Sequence, residues 1–282
     1  MSSGFQPCRF PPCVAGSRGR HPLSVAVVLV VLLLGPVLTA SRVYADTLTV
    51  AVAANFAETL EVLARDFEQQ SVHRLRLVRG SSGRHFAQIV NGAPFELYFS
   101  ADAARPAELR ARLDLRADSL RTYAQGRLVL WGPQAGSEAQ IRARLEAGQF
   151  DRLALANPRL APYGQAAVET LDSLGLAALL TSRATDIVRG ESVAQAYQFV
   201  ATANAALGFV AYSQVKHHNN SEFWLVPEVL HEPIVQQLLV VRDTPAVRQF
   251  LAYLESPRAR RLILEAGYGV PESGAVSAGS PE

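Results

Sequence analysis

The chain has 282 residues, of which 49% are hydrophobic and 18% charged, and its formal net charge is +2. This composition predicts a globular protein with a sizeable core, in one or two domains. The 27 basic residues nearly balance the 25 acidic ones, so the basic excess typical of nucleic-acid-binding proteins is absent and no nucleic-acid partner is expected.

The N-terminal residues differ in kind from the rest of the chain. Three arginines precede an apolar run at residues 23–34, and the small residues "VYA" follow at 43–45. This pattern is typical of a secretory signal peptide, and the run is shorter than the roughly 20 residues of a membrane span. We therefore predict a signal peptide over residues 1–45 and a periplasmic mature protein, with an uncleaved anchor as the alternative. Cleavage would remove Cys8 and Cys13.

Cleavage would also change the charge. The removed part holds four of the 27 basic residues and no acidic residue, which leaves 23 basic against 25 acidic side chains, a net charge of −2. Nothing in this balance suggests a polyanionic partner for the mature protein.

Strand-like and helix-like segments alternate through the first half of the mature chain. Asn55 and Ser82 each stand at a predicted helix start, where a short polar side chain commonly caps the helix. The alternation predicts a parallel sheet covered by helices. The predicted strands are "TLTVAVAA" (47–54), "RLRLV" (74–78) and "FELYFS" (95–100), and the predicted helices are residues 55–70, 82–91 and a helix starting at Pro106.

The pattern restarts near Gly126 and is interrupted by the polar stretch 216–223. We therefore predict two α/β lobes, each a mixed sheet flanked by helices: residues 46–126 with 217–282, and residues 127–216. A ligand is expected in the cleft between them. The second set of predicted strands is 127–132, 152–156, 186–190, 207–213 and 233–241, and the second set of predicted helices is 164–175, 192–204, 245–256 and 257–267.

Four predicted helix starts offer hydrogen-bond donors. They lie at Asn55, at the Ser82 turn, at "APYGQAA" around Tyr163 and at "GESVAQA" around Val193. Each has backbone N–H groups without helical partners and the positive end of a helix dipole. Asn55, Ser82 and Tyr163 add a side-chain donor. Together they would hold an anion, although helix capping explains each Asn or Ser taken alone.

Catalytic and metal-binding patterns are weak. The sequence has no HExxH, P-loop, GxSxG or CxxC motif. His217 and His218 lie in a polar stretch without partners at metal-ligand spacing. Ser82 and His85 could form a nucleophile and its base, but no acid is placed to orient His85. We predict a binding protein with no cofactor, not an enzyme.

Several stretches of the mature chain resemble the periplasmic molybdate-binding proteins of ABC transporters. The most diagnostic is "GSSGRHFAQIVNGAPFELYFSAD", and "LTVAVAANFAETLEVLARDFE", "LALANPRLAPYGQAAVETL" and "GESVAQAYQFVATANAALGFVAYSQV" match in register. The resemblance implies the two-lobed type II periplasmic binding protein fold. It also implies a monomeric receptor that delivers molybdate, and tungstate as well, to a membrane ABC permease.

The resemblance also implies the ligand-binding residues. Many family members have a ligand Tyr at the position of Ala211, whereas this chain has Tyr163 in the "APYG" turn, an exchange seen in a subgroup. The resemblance leaves open whether Arg84 and Tyr212 also contribute to the ligand site. Molybdenum enters only as the oxyanion, and the residues implied to bind it are Ala54 and Val193 through backbone N–H groups, with Asn55, Ser82 and Tyr163.

The chemistry of the anion narrows the expectation. Molybdate is fully deprotonated at neutral pH, so every group that binds it should be a donor, whereas phosphate keeps a proton and would favour a carboxylate acceptor. No Asp or Glu falls on the matched positions. Two alternatives stay open: a ferric-ion receptor that uses Tyr163 and Tyr212, and a secreted hydrolase that uses Ser82 and His85.

Overall fold

The computed structural model describes residues 45–218 and 223–269. The predicted signal peptide, except for Ala45, lies outside the described residues, as do both cysteines. Among the described residues, every helix is too short or too polar to cross a membrane.

The strands form two five-stranded mixed sheets. In the first sheet, β1 pairs in parallel with β2 and β3, and β10 runs antiparallel to β3 and β4, in the order β2-β1-β3-β10-β4. The strands along the described residues are β1 Thr47–Ala53, β2 Arg74–Gly80, β3 Leu97–Phe99, β4 Leu120–Gly126, β5 Leu128–Trp131, β6 Leu153–Ala156, β7 Ile187–Gly190, β8 Leu207–Ala211, β9 Phe223–Leu225 and β10 Ile234–Val240.

The second sheet has the order β7-β6-β8-β5-β9, with β6 parallel to β7 and β8, and β5 antiparallel to β8 and β9. Helices flank both sheets, so the predicted two-lobed α/β class is confirmed. The helices along the described residues are α1 Ala57–Glu68, α2 Ser82–Val90, α3 Ala104–Arg112, α4 Glu138–Glu146, α5 Pro162–Ser173, α6 Leu179–Ser182, α7 Val193–Ala201, α8 Tyr212–Val215, α9 Pro245–Leu254 and α10 Pro257–Glu265.

The chain passes twice between the sheets. The first passage is the short connection from β4 to β5 at Gly126. The second follows β9, because β9 still pairs with β5 of the second sheet and β10 is the next strand of the first sheet. The chain therefore returns to the first sheet after β9.

Two local predictions need correction. Asn55 does not cap α1, because the residue before that helix is Phe56 and no side chain caps it. Tyr212, which was placed at the end of a strand, begins the short helix α8. Strand β4 and helix α4 were not predicted; β4 reads "LRTYAQG", whose polar residues break the apolar alternation of a half-buried strand.

A buried aromatic cluster holds the first lobe together beside the cleft. The ring of Phe56 packs against Tyr123, with centroids 4.6 Å apart, and against Tyr268 at 5.2 Å. Offset and edge-to-face arrangements of this kind add to the stabilisation that burial alone provides. The cluster thereby fixes two tyrosine hydroxyls next to Asn55.

Candidate functional site

A cleft with a cavity of about 580 Å³ lies between the two sheets. Ala54, Asn55 and Ser81 line it from the first lobe, and Ser192 and Tyr197 line it from the second. Of the five residues predicted to bind the ligand, Ala54 and Asn55 therefore line the cavity directly.

The serine turn lies between β2 and α2. Ser81 is the extended residue before the helix, and neither it nor Ser82 caps α2 with its side chain. The Ser82 Oγ, which is 1% exposed, accepts a hydrogen bond from the Ala101 backbone N–H at 3.0 Å. The hydroxyl proton of Ser82 therefore stays available for another acceptor. The Ser81 Oγ is buried without a hydrogen-bond partner among the described residues.

The side chain of Asn55 is held within the protein. Its Nδ2 donates to Gln236 Oε1 at 3.0 Å and to the Tyr268 hydroxyl at 3.2 Å. Both amide hydrogens are thereby engaged, so the side chain is not aimed at a ligand in this structure. The donor that Asn55 can offer is its backbone N–H, in the turn that precedes α1.

The neighbouring Ala54 was expected to donate through its backbone N–H. In the structure this N–H donates to the Gly80 carbonyl at 2.8 Å, which extends the pairing of β1 with β2 by one residue. The bond holds the turn at Asn55 against the turn at Ser81, so both turns face the cavity together.

Tyr163 lies in the first turn of α5, after Pro162, and its side chain is 2% exposed. Its hydroxyl oxygen accepts from Gln236 Nε2 at 3.2 Å. Burial raises the pKa of Tyr163 well above its ordinary value, although the hydrogen bond from Gln236 opposes this shift. Tyr163 is therefore a neutral phenol at physiological pH and retains a proton to donate.

Val193 begins α7 in the second lobe. The hydrogen bonds of α7 start with the Gln195 N–H, which donates to the Ser192 carbonyl at 3.1 Å. The N–H groups of Val193 and Ala194 lie ahead of this bond, at the positive end of the helix dipole. The Val193 side chain is buried in the second core, so the residue can contribute only through its backbone.

Hydrogen bonds connect some of these residues and not others. Asn55 of the first lobe is joined to Tyr163 of the second through Gln236. Ser82 is connected to the same group within the first lobe. Its backbone carbonyl accepts from the Tyr98 hydroxyl, which also contacts Ser100, and the Tyr123 hydroxyl contacts both Ser100 and Gln236. Among the described residues, no hydrogen bond links Val193 to this group.

The two lobes touch around the cleft. The Gly83 N–H in the first turn of α2 donates to the Leu160 carbonyl of the second lobe at 2.9 Å. A Cβ on Gly83 would lie 3.0 Å from Leu160 Cα, so only glycine allows this close approach without a shift. At the mouth of the cleft, Arg84 and Glu191 form an ion pair at 3.5 Å, with both side chains more than half exposed.

The residues of the two alternative functions do not assemble. The imidazole of His85 contacts Gln88 Oε1 at 3.0 Å and the Val52 carbonyl at 3.2 Å, not the Ser82 hydroxyl, and burial lowers its pKa. Tyr212 packs on Phe223 at 5.7 Å, away from the partners of Tyr163. Among the described residues, no three His, Cys, Asp or Glu side chains could hold a metal ion together.

Three residues that sequence reasoning missed form hydrogen bonds with the predicted site residues: Ala101, Gln236 and Tyr268. Gln236 carried a readable signal. On β10 its side chain points to the same buried face as those of Ile234 and Leu238, and that face of the strand is otherwise apolar. A polar residue at such a position needs a buried hydrogen-bond partner. Ala101 and Tyr268 offered no comparable signal.

A comparison with known families matches residues 48–269 to the bacterial extracellular solute-binding proteins. The molybdate-binding protein ModA of Azotobacter vinelandii is 40% identical over 254 residues, covering 88% of this chain and all of the relative. The molybdate-binding protein ModA of Rhodobacter capsulatus is 38% identical over 221 residues, covering 77% of this chain and 86% of the relative. The solved structure of the Azotobacter vinelandii periplasmic molybdate-binding protein superposes with a TM-score of 0.74 at 38% identity, covering 80% of this chain and all of that one.

Proposed function

The chain belongs to the bacterial extracellular solute-binding proteins of the ModA type, and we propose that it binds molybdate in the interlobe cleft and delivers it to a membrane ABC permease. The family consists of transport binding proteins, not enzymes. The observation that carries the choice of ligand is the donor character of the groups at Ser82, Asn55 and Tyr163, in addition to the kinship with molybdate-binding proteins.

The hydroxyls of Ser82 and Tyr163 each accept a hydrogen bond from an N–H group, so each keeps its own proton for a ligand. The groups around Asn55, Gln236 and Tyr268 are neutral amides and hydroxyls. A fully deprotonated dianion has acceptors only and suits such a site, whereas hydrogen phosphate would leave its proton without an acceptor.

We assign the five predicted residues as follows. Ser82 and Tyr163 donate through their hydroxyls, and Asn55 and Val193 donate through their backbone N–H groups at helix starts. Ala54, whose N–H is used by Gly80, closes the turn that presents Asn55.

Further parts of the proposal concern tungstate, the cell compartment and the oligomeric state. Tungstate has the same charge and nearly the same size as molybdate, so it should bind as well. The mature protein is a periplasmic monomer, released by cleavage after Ala45. Mass spectrometry of the secreted protein tests the cleavage site, and sedimentation tests the monomer.

Titration calorimetry of the mature protein with molybdate, tungstate, sulfate and phosphate tests the ligand. We expect tight binding of the first two and weak or absent binding of the others. An absence of heat with molybdate would refute the proposal.

The variant Ser82→Ala tests the site. It should lose about 1–3 kcal/mol of molybdate binding free energy, because a buried anion oxygen is left without its donor. Ser119→Ala is the matched control, since Ser119 is also buried but its hydroxyl proton is used on the Arg116 carbonyl at 2.6 Å. Equal affinities in Ser82→Ala and the wild type would remove Ser82 from the site.

A further inference from the structure

Gln236 occupies the centre of the buried hydrogen-bond group between the lobes. It is fully buried on β10. Its Oε1 lies 3.0 Å from Asn55 Nδ2 and 2.8 Å from the Tyr123 hydroxyl, and its Nε2 lies 3.2 Å from the Tyr163 hydroxyl. One amide thus contacts residues that approach the cleft from both lobes.

The donor and the acceptor of each of these hydrogen bonds can be assigned by starting from a backbone carbonyl oxygen, which can only accept a hydrogen bond. The backbone carbonyl of Asn55 receives the Tyr268 hydroxyl proton at 2.6 Å. The Tyr268 oxygen, having used its single proton, must accept from the Asn55 side chain, which places Nδ2 rather than Oδ1 on that side. The second hydrogen of Nδ2 then points at Gln236, so Gln236 presents Oε1 to Asn55 and Nε2 to Tyr163.

The consequence falls on the Tyr163 hydroxyl. Its oxygen accepts a hydrogen bond from Gln236 Nε2 at 3.2 Å. Because this bond uses a lone pair of the oxygen and not its proton, the phenolic proton stays available. In the proposed function this proton is donated to the anion.

We propose that Gln236 and Tyr268 are positioning residues that direct the Tyr163 proton toward the bound oxyanion and so select ligands that carry acceptors only. This inference rests on the proposed function, since it explains how the cleft prefers a fully deprotonated anion. Were Gln236 reversed, its Oε1 would take the Tyr163 proton, and Tyr163 would offer a lone pair to the anion.

The local fold supports this role. The register of β10 against β4 shifts between Gln236 and Gln237, where Tyr123 is the extra residue of β4, and Gln237 contacts Thr122 near the surface. A Cβ on Gly126 would lie 2.6 Å from Gln236 Nε2 and closer still to the Tyr163 hydroxyl, so glycine is needed where these two groups meet.

The titratable groups near Gln236 remain neutral. Tyr123 and Tyr163 contact it directly, and Tyr268 reaches it through Asn55; burial raises the pKa of each of these tyrosines. Asp102, which acts on Tyr123 from the adjoining segment, is ion-paired with Arg105. The donors and acceptors of these hydrogen bonds therefore stay the same when the pH changes near neutrality.

A double-mutant cycle tests the assignment without introducing a charge. Molybdate affinity is measured by calorimetry for the wild type, Gln236→Met, Tyr163→Phe and the double variant. We expect Gln236→Met to weaken binding about 10- to 100-fold in the wild-type background and no more than about threefold in the Tyr163→Phe background, because Gln236 acts through the Tyr163 proton. Gln237→Met is the matched control, on the same strand but facing outward, and should bind as the wild type does.

The same fold loss from Gln236→Met in both backgrounds, or no loss at all, would overturn the assignment. Thermal unfolding without ligand establishes that each variant is folded. If Gln236→Met does not fold, Tyr268→Phe takes its place in the cycle, with an expected loss of about tenfold that again disappears with Tyr163→Phe. A wild-type protein that binds no molybdate would refute the proposed function itself, whereas a tight wild type with additive losses refutes only the roles of Gln236 and Tyr268.

Discussion

The substitution Gly83→Ala separates the stability of the first lobe from the closure of the cleft. Gly83 lies in the first turn of α2, its N–H donates to the Leu160 carbonyl at 2.9 Å, and an added Cβ would meet Leu160 Cα at 3.0 Å and its carbonyl oxygen at 3.1 Å. These distances are a few tenths of an ångström too short, and both contacted atoms belong to backbone. The second lobe must therefore move away, and the hydrogen bond between the lobes lengthens.

Two effects of opposite sign follow. Replacing a glycine within a helix by alanine favours the folded lobe by roughly 0.5–1 kcal/mol. The lost interlobe hydrogen bond costs about 0.5–1.5 kcal/mol of closure, which corresponds to an affinity roughly 2- to 12-fold weaker for a ligand that binds the closed form. We expect thermal unfolding without ligand to be unchanged or shifted upward, while calorimetry shows weaker molybdate binding. Undiminished affinity in Gly83→Ala would show that closure on the ligand does not need this contact.

Three further predictions concern stability, the cleft mouth and ligand linkage. Hydrogen bonds from Arg258, among them one from Nε at 2.7 Å, lower the pKa of the buried Asp66 despite its desolvation, so Asp66→Asn should destabilise the protein by about 1–3 kcal/mol at neutral pH. A lowered folded-state pKa stabilises the protein above the unfolded value of about 3.9, and this stabilisation is lost as the pH falls through the folded value. Urea unfolding of variant and wild type should therefore converge in acid. Arg84→Ala should change molybdate affinity less than about fivefold, because its ion pair with Glu191 is exposed, and a larger effect that persists at high salt would place Arg84 in the site. Molybdate at about 100 times its Kd should raise the free energy of unfolding by about 2.7 kcal/mol, and an unmoved unfolding transition would contradict specific binding to the folded state.

The sequence predicts the fold well where the segments are regular. Strands such as β1 and β8 are continuous apolar runs, and α1 presents one apolar face, so local periodicity suffices. Strand β4 lacks that periodicity, because its stability comes from pairing with β10 and not from its own pattern. Local patterns also could not place β9, whose three residues follow a polar stretch.

The candidate site was only partly predictable, because its hydrogen bonds join residues far apart in the chain. Asn55 meets Gln236 across 181 residues and Tyr268 across 213 residues. The helix starts at Ser82 and Val193 could be identified from local sequence, since the N–H groups of a helix start are free wherever it occurs. Whether the Asn55 amide faces a ligand or a neighbouring side chain depends on tertiary contacts, and here it faces its neighbours.

The contacts between the lobes also affect how well a transporter can distinguish a ligand-bound receptor from an empty one. The Gly83 bond to Leu160 and the Arg84 pair with Glu191 form between protein groups, so they favour the closed shape whether or not an anion is inside. The measured dissociation constant equals the intrinsic one divided by the fraction of molecules already in the competent shape. Every such contact therefore raises the affinity for molybdate. It also raises the fraction of ligand-free receptors that adopt the closed conformation, which a transporter would meet as if they carried molybdate. The same interlobe contacts thus raise the affinity for the ligand and lower the ability of the transporter to distinguish loaded receptors from empty ones.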